Sequence, residues 1–405
     1  MSTPPQGTRK RLDHIDAMRP IKQAAVISTH ALIFFAPLAT STLATGVIML
    51  TRFSRDAFLF VSASMLAYSY RESARIDYGI YAKRRLISVG LPYVVWTVLY
   101  FLFTSATPTS GFPYYSLSAH AVLSLHGAHY FWHLLATGYF HLYYLLVILE
   151  FYAIFPLLLF ALRRAARWHV KIMWASVIWQ VLYGWALVAH PLGLHVPGMV
   201  QTRLIISYPV YLVGGVIVAL HLDDVHDWIV RHARGLVAAT LGGVALGEGL
   251  LVLGRHVGLP SLLWTGSNVF APFILPYNIG AILCVYLLGV FLVAPRRGPL
   301  TRSLVQSGSD NSYGVYLSQM IWIPILGRVF GALHLNWPWE LRAPLALVIV
   351  YSMGLLLSTI LARTPVSKAV VGRSRVSWAT LRPHRVRTAH WHPDRGDGPL
   401  EVAAD

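Results

Sequence analysis

Runs of about twenty apolar residues, separated by short polar and basic segments, recur along most of the chain. They fall at 20–38, 43–70, 86–104, 140–161, 170–190, 204–220, 236–253, 270–294, 312–331 and 342–362. Each is close to the ~20 residues that an α-helix needs to cross the hydrocarbon core of a bilayer. The pattern therefore predicts an all-α membrane protein with about ten transmembrane helices. Two runs are interrupted. The second contains Arg52, Arg55 and Asp56, and the eighth contains Pro272 and Pro276. Such residues predict kinks or broken turns supported by neighbouring helices.

The polar segments set an orientation. Lys and Arg gather in alternate segments: Arg9 to Arg11, Arg71 to Arg85, Arg163 to Lys171, Arg231 and Arg234, Arg296 to Arg302, and Arg363 onward. The long segment at roughly 105–139 has neither residue type. By the positive-inside rule this places both termini in the cytoplasm, in agreement with an even number of spans. The first run follows a polar, basic N-terminal segment with no A-x-A-like cleavage site after it, so it reads as a retained helix. Three regions are expected: a cytoplasmic segment at 1–18, a membrane domain at 19–364, and a basic, disordered cytoplasmic tail at 365–405.

Composition agrees and removes alternatives. The 405 residues are 56% hydrophobic and only 12% charged, with mean hydropathy +0.56, which excludes an ordinary soluble domain. The net charge of +17 does not point to nucleic acid, because the basic residues lie in short blocks between apolar runs and form no basic domain. Membrane lipids are the expected partner of these blocks. Cys284 is the only cysteine, so no intrachain disulfide is available and no cysteine-based metal site is expected.

Chemistry enters at the first apolar run. RPIKQAAVISTH places Arg19 eleven residues before His30. At ~100° per residue the two project from nearly the same helical face, about 16 Å apart along the axis. Two readings are open. Arg19 is an anchor at the lipid headgroups and His30 makes a helix–helix hydrogen bond, or the two form a functional site. A guanidinium suits phosphate recognition, and an imidazole suits proton transfer near neutral pH. Their separation matches a stretched pantetheine arm, so an acyl-coenzyme A would set its phosphates near Arg19 and its acyl carbon near His30.

LDHIDAMRPIKQAAVISTH resembles the opening signature of the integral-membrane acyltransferase-3 family, an Asp-x-x-Arg followed by a histidine eleven residues after the arginine. Asp16, Arg19 and His30 match it position for position. FLFVSASMLAYSY at 58–70, AKRRLISVGLPYVVW at 82–96, FHLYYLLVILEFYAIFPLL at 140–158, YPVYLVGGVIVAL at 208–220 and SYGVYLSQM at 312–320 resemble later family segments in order. The likeness spans about residues 12–362 and is closest to the branch that modifies exported polysaccharides.

It implies a bacterial cytoplasmic-membrane enzyme that transfers an acetyl or other short acyl group from acyl-coenzyme A to a carbohydrate or glycolipid hydroxyl. No resident cofactor or metal is implied. His30 would be the catalytic base, Asp16 would orient Arg19, and Arg19 with Lys83, Arg84 and Arg85 would hold the donor's phosphates.

The chain departs from the family pattern at three points. Ala63 replaces the glycine of a serine-glycine step, Ser88 stands where a basic residue often follows, and Gln319 stands where a histidine is common. Glutamine cannot take a proton at neutral pH, which leaves His30 as the base. Glu150, Arg52, Arg55, Tyr316 and Gln319 are candidate acceptor contacts. Glu150 in particular sits in an apolar run and needs a cavity or a partner. His129, His133 and His141 read as interfacial residues, since no carboxylate or cysteine completes a metal set. The rival reading is an exporter of a glycan or lipid intermediate without catalysis, which would show paired broken helices in its two halves.

Overall fold

The computed structural model describes residues 12–38, 40–73, 75–106, 122–189, 201–257, 270, 272, 274–294 and 297–377. No strand occurs among them, and every one of the ten apolar runs is helical. Seven helical spans are long and apolar enough to cross a membrane, and a pair bent by 103°, Pro209–Leu220 with Leu222–Arg231, makes an eighth if counted as one span. The chain is an all-α, multi-span membrane protein.

The first two runs fall outside those eight for a physical reason. Helix α1 (Asp13–Phe35) carries Asp16, Arg19 and Lys22. The second run divides at Arg52 into α2 (Thr42–Thr51), which is only 10 residues long, and α3 (Phe53–Tyr70), which begins with Arg55 and Asp56. The residues that dilute the hydropathy of these helices are the candidate site residues. Even so, α1 is central: it packs on α2, on α3 and on the three long helices near the C-terminus. Asp13 and Asp16 in its first turn oppose the positive end of the helix dipole.

Next comes α4 (Tyr78–Arg85), whose N-terminus is capped by the Asp77 carboxylate accepting from Ile80 N at 2.9 Å. A π-helical turn at Leu86–Gly90 leads into α5 (Leu91–Ala106). Pro92 has no N–H to offer the Ser88 carbonyl, which accounts for the irregularity. Helix α6 (Leu125–Thr137) lies in the segment read as an outer loop. After it come α7 (Tyr143–Arg164), α8 (His169–Ala189), α9 (Pro209–Leu220), α10 (Leu222–Arg231) and α11 (Ala233–Val257).

Helices α12 (Ile274–Val293), α13 (Pro299–Ala332) and α14 (Trp339–Leu361) complete the bundle. Pro276 produces no break in α12. It lies in the first turn, where its missing N–H would have had no helical partner anyway. Helix α13 starts well before the apolar run at 312–331, because residues 299–311 are polar but helical.

The stretch after 364 was expected to begin a disordered tail, but its start is docked. A short helix α15 (Ser367–Val371) follows α14, and the Val370 carbonyl accepts from the buried Trp96 indole at 2.8 Å. Gly372 then takes φ 67°, and a Cβ there would lie 2.1 Å from the Ser88 carbonyl oxygen. Arg373 donates to the Asp310 carbonyl and the Asn311 side chain. Residues 378–405 lie outside the described residues.

Helices α3 and α9 pack closely at Gly215. A Cβ added at Gly215 would lie 2.7 Å from the Phe60 carbonyl oxygen and 2.8 Å from the Ala63 methyl. Ala63, the departure from the serine-glycine step, is thus accommodated because its partner has no side chain. Small residues let membrane helices approach in this way. Gly215→Leu is expected to destabilise the detergent-solubilised protein by ~2 kcal/mol or more through overpacking. Gly243→Leu, where nothing lies within 4 Å, is expected to leave the melting midpoint unchanged; comparing the two midpoints is the check.

Candidate functional site

Helix α1 presents a polar stripe to the bundle. Asp16 is buried, and its carboxylate sits 3.4 Å from the Arg19 guanidinium, one turn along. Lys22 is 3% exposed, with Nζ 3.1 Å from the centroid of the Phe58 ring. Gln23 is fully buried, and neither atom of its amide has a hydrogen-bond partner. Further along, His30 is half-buried, with Nδ1 buried and unpartnered. The unbroken helix keeps Arg19 and His30 in the register read from sequence, about 16 Å apart along the axis.

A second histidine meets the first. His141 is 3% exposed, the Leu317 and Tyr316 carbonyls lie beside its ring, and its ring centroid lies 6.3 Å from that of His30. A strained turn puts it there. Gly138 has φ 77°, and a Cβ on it would meet the Tyr143 backbone at 2.3 Å, so only glycine fits. Phe140 has φ 31°, a costly conformation for an aromatic residue. Its ring packs 5.0 Å from His30.

Several tyrosines hold this turn. The Tyr316 hydroxyl donates to the His141 carbonyl, and its ring lies 5.1 Å from the imidazole. Tyr100 stacks on Tyr139 at 4.7 Å, meets the His141 ring edge-on at 5.3 Å and donates to the Leu317 carbonyl. Gln319, one turn beyond Tyr316, is fully buried, and neither of its amide atoms has a partner. Buried groups in this state are rare in folded proteins, where nearly all buried polar atoms are satisfied. Gln23 and His30 on α1 and Gln319 on α13 are such residues, and with His141 they make up the candidate site.

The basic trio at the end of α4 divides. Lys83 and Arg84 are exposed, whereas Arg85 turns inward. Its guanidinium lies 5.6 Å from the Tyr81 ring and 5.4 Å from the Tyr152 ring. Tyr152 also feels the charge of Arg19, so the two arginines converge on one tyrosine.

The remaining candidates scatter. Glu150 is exposed on the bundle, and its carboxylate accepts from Ile205 N at 3.0 Å, capping the short turn at Ile205–Ser207. Arg55 bonds Asp56 at 3.1 Å and faces the Tyr208 and Phe270 rings. Arg52 sits at the junction of α2 and α3 with Nη1 buried and unpartnered. His129 and His133 are exposed on α6, apart from the buried His141.

Reading the sequence alone missed three members of this cluster: His141, Lys22 and Gln23. A glycine three residues before His141 was a faint signal of the turn, but nothing in the spacing of His30 and His141 links them. Lys22 and Gln23 were visible as polar residues inside an apolar run, the same signal that singled out His30.

An imidazole pair, one cationic end and several unpaired hydrogen-bonding groups inside a membrane bundle can take and return a proton and bind an anionic, polar ligand. No curated protein and no solved structure matches the chain. The family model described as an acyltransferase domain, Acyl_transf_3, matches residues 12–363. With that match covering most of its length, the chain belongs to the acyltransferase-3 family of membrane acyltransferases.

Proposed function

We propose that the protein is an O-acyltransferase of the bacterial cytoplasmic membrane, moving an acetyl or other short acyl group from acyl-coenzyme A to a hydroxyl of a carbohydrate or glycolipid. The observation that carries this reading is the juxtaposition of His30 and His141, with ring centroids 6.3 Å apart inside the bundle, in a chain of this family. The donor enters from the basic end of the bundle. Arg19 and Arg85 contact its phosphates, Asp16 orients Arg19, and exposed Lys83 and Arg84 attract the polyanion toward the site.

The acyl carbon then lies near His30. The acceptor hydroxyl attacks the thioester carbonyl while His30 takes its proton. The new C–O bond forms as the C–S bond breaks, and the proton on His30 passes to the departing coenzyme A thiolate. His141, within reach of the same space, hydrogen-bonds the attacking hydroxyl and positions it. Tyr316, through the His141 carbonyl, holds that imidazole in place.

The test is coenzyme A release from acetyl-coenzyme A by membranes at matched expression, with and without a crude envelope-glycan acceptor. His30→Ala is expected to cut acceptor-dependent release by at least ~100-fold, the usual cost of losing a general base. His141→Ala is expected to cut it by ~10-fold or more. Silence from the wild type with acetyl and other short acyl donors, together with no coenzyme A binding, would overturn the reading.

Arg85→Ala is expected to raise the KM for acetyl-coenzyme A by ~10-fold, as the loss of a buried phosphate contact should. Lys83→Ala and Arg84→Ala are expected to cost ~3-fold or less, with the deficit fading as salt is raised. Titrations of the donor at two ionic strengths separate these roles.

A further inference from the structure

A second polar recess lies at the start of α3. It is lined by Arg55 and Asp56 at the start of α3, Gln180 on α8, Tyr211 on α9, Phe270, and Asn278 in the first turns of α12. The α12 helix locates this recess relative to Arg19. The His14 carbonyl at the start of α1 abuts Gly289, near the far end of α12, whereas Asn278 is near its beginning. Lys22, one turn beyond Arg19, meets Phe58, two residues after Asp56, so the recess lies level with the stretch of α1 between Arg19 and His30. His30 lies toward the recess: its neighbour Thr29 bonds Thr51 at 2.8 Å, one residue before Arg52.

The polar groups here are arranged with two vacancies of one kind. Asn278 Nδ2 donates to Asp56 Oδ2 at 2.6 Å, and Gln180 Nε2 donates to the Ser207 carbonyl at 2.7 Å. Each of those partners can only accept, which fixes both amide orientations. What remains on each side chain is a carbonyl oxygen, and both are buried without a partner. Asn278 is 2% and Gln180 5% exposed. Two buried acceptors need donors. Arg55 and Asp56 form an ion pair, so the recess has no net charge to select an ion. The aromatic rings of Tyr208 and Phe270 flank the Arg55 guanidinium at 5.1 and 4.8 Å. Donor-seeking amides, a neutralised charge pair and aromatic walls together suit a neutral ligand rich in hydroxyl groups.

The recess is narrow, with room at its base for about one water-sized group. That would admit the hydroxylated edge of a sugar ring and leave the rest of the ring outside. It connects to the histidine pair through aromatic side chains. Asp56 is an electrostatic neighbour of Tyr144, whose ring packs edge-on against Phe58 at 4.9 Å and lies 6.3 Å from that of Tyr316. Tyr316 is the residue that holds His141.

We infer that the cleft of Arg55, Asp56, Gln180, Phe270 and Asn278 is a saccharide subsite that engages the acceptor through its hydroxyls. Its role as the acceptor site rests on the acyl-transfer reading, whereas saccharide binding does not.

Two measurements test it. The first needs no catalysis: in a Cys284→Ser background, Pro272→Cys at the cleft is reacted with a charged methanethiosulfonate. Oligosaccharides from a mild-acid hydrolysate of envelope glycans are expected to slow labelling by ~5-fold or more, and acetyl-coenzyme A is expected not to. An unchanged rate at saturating oligosaccharide, the result for a cleft that holds only water, would overturn the proposal. So would the absence of labelling.

The second is kinetic. Asn278→Ala, with Gln180→Ala as the gentler variant should the first fail to fold, is expected to raise the acceptor KM by ~10-fold and shift the acetyl-coenzyme A KM by less than twofold. A raised donor KM with the acceptor KM unchanged would contradict it. Protection of Pro272→Cys by saccharide in a protein that never releases coenzyme A would keep the subsite and discard acyl transfer. Normal acyl transfer without protection would do the reverse.

Discussion

Polar side chains inside a membrane bundle have no bulk water to satisfy them, and in this protein the arrangement of the helices follows from that constraint. Helix α1 carries Asp16, Arg19, Lys22, Gln23 and His30 on one molecule-spanning element. It cannot face lipid with that stripe, and it is therefore surrounded by α2, α3, α12, α13 and α14. Each neighbour answers part of the stripe. Phe58 of α3 offers its ring face to the Lys22 ammonium, and α13 brings Tyr316 and Gln319. The α6–α7 turn closes the far end with Phe140 and His141. At Gln23, His30 and Gln319 no neighbour answers, and buried polar atoms stay unpaired.

Such a stripe is costly to bury, and close packing around it offsets the cost. The approach of α3 to α9 at Gly215 and the docking of Gly372 over the Ser88 carbonyl both depend on the absence of a side chain. The second of these also ties the segment after α14 to the irregular turn that follows Arg85. The phosphate end of the proposed site is thereby braced by a piece of chain distant in sequence. At the other end, the strain at Phe140 is stored in a turn held by Tyr316 and Tyr100, which keeps a buried imidazole aimed at His30. A site whose groups are held before substrate arrives needs little reorganisation when charge develops.

The all-α membrane architecture was legible from apolar run length, because a helix crossing hydrocarbon must be continuous and apolar. The number of spans was not, since among the described residues seven or eight of the ten expected are long and apolar enough to cross. The Arg19–His30 pair was legible too, since an unbroken helix converts spacing into geometry. Family membership rested on the same local signature and its ordered companions. Glu150 marks the limit of such reasoning. An acidic residue in an apolar run does need a partner, but the partner is the Ile205 amide on the surface of the bundle. The start of the supposed tail is a similar case, for its polar composition did not reveal the Trp96 indole waiting for the Val370 carbonyl.

What the sequence determined by itself is therefore whatever is local to one helix: where the spans lie, which face of α1 is polar, and how far Arg19 stands from His30. The tertiary structure alone decided which distant residues meet that face. His141 joins His30 across more than a hundred residues, Arg85 and not Arg84 turns toward Arg19, and Asn278 finds Asp56. Side-chain periodicity determines direction along a helix, but contact between helices depends on how whole surfaces pack, and no spacing within a single chain segment encodes that.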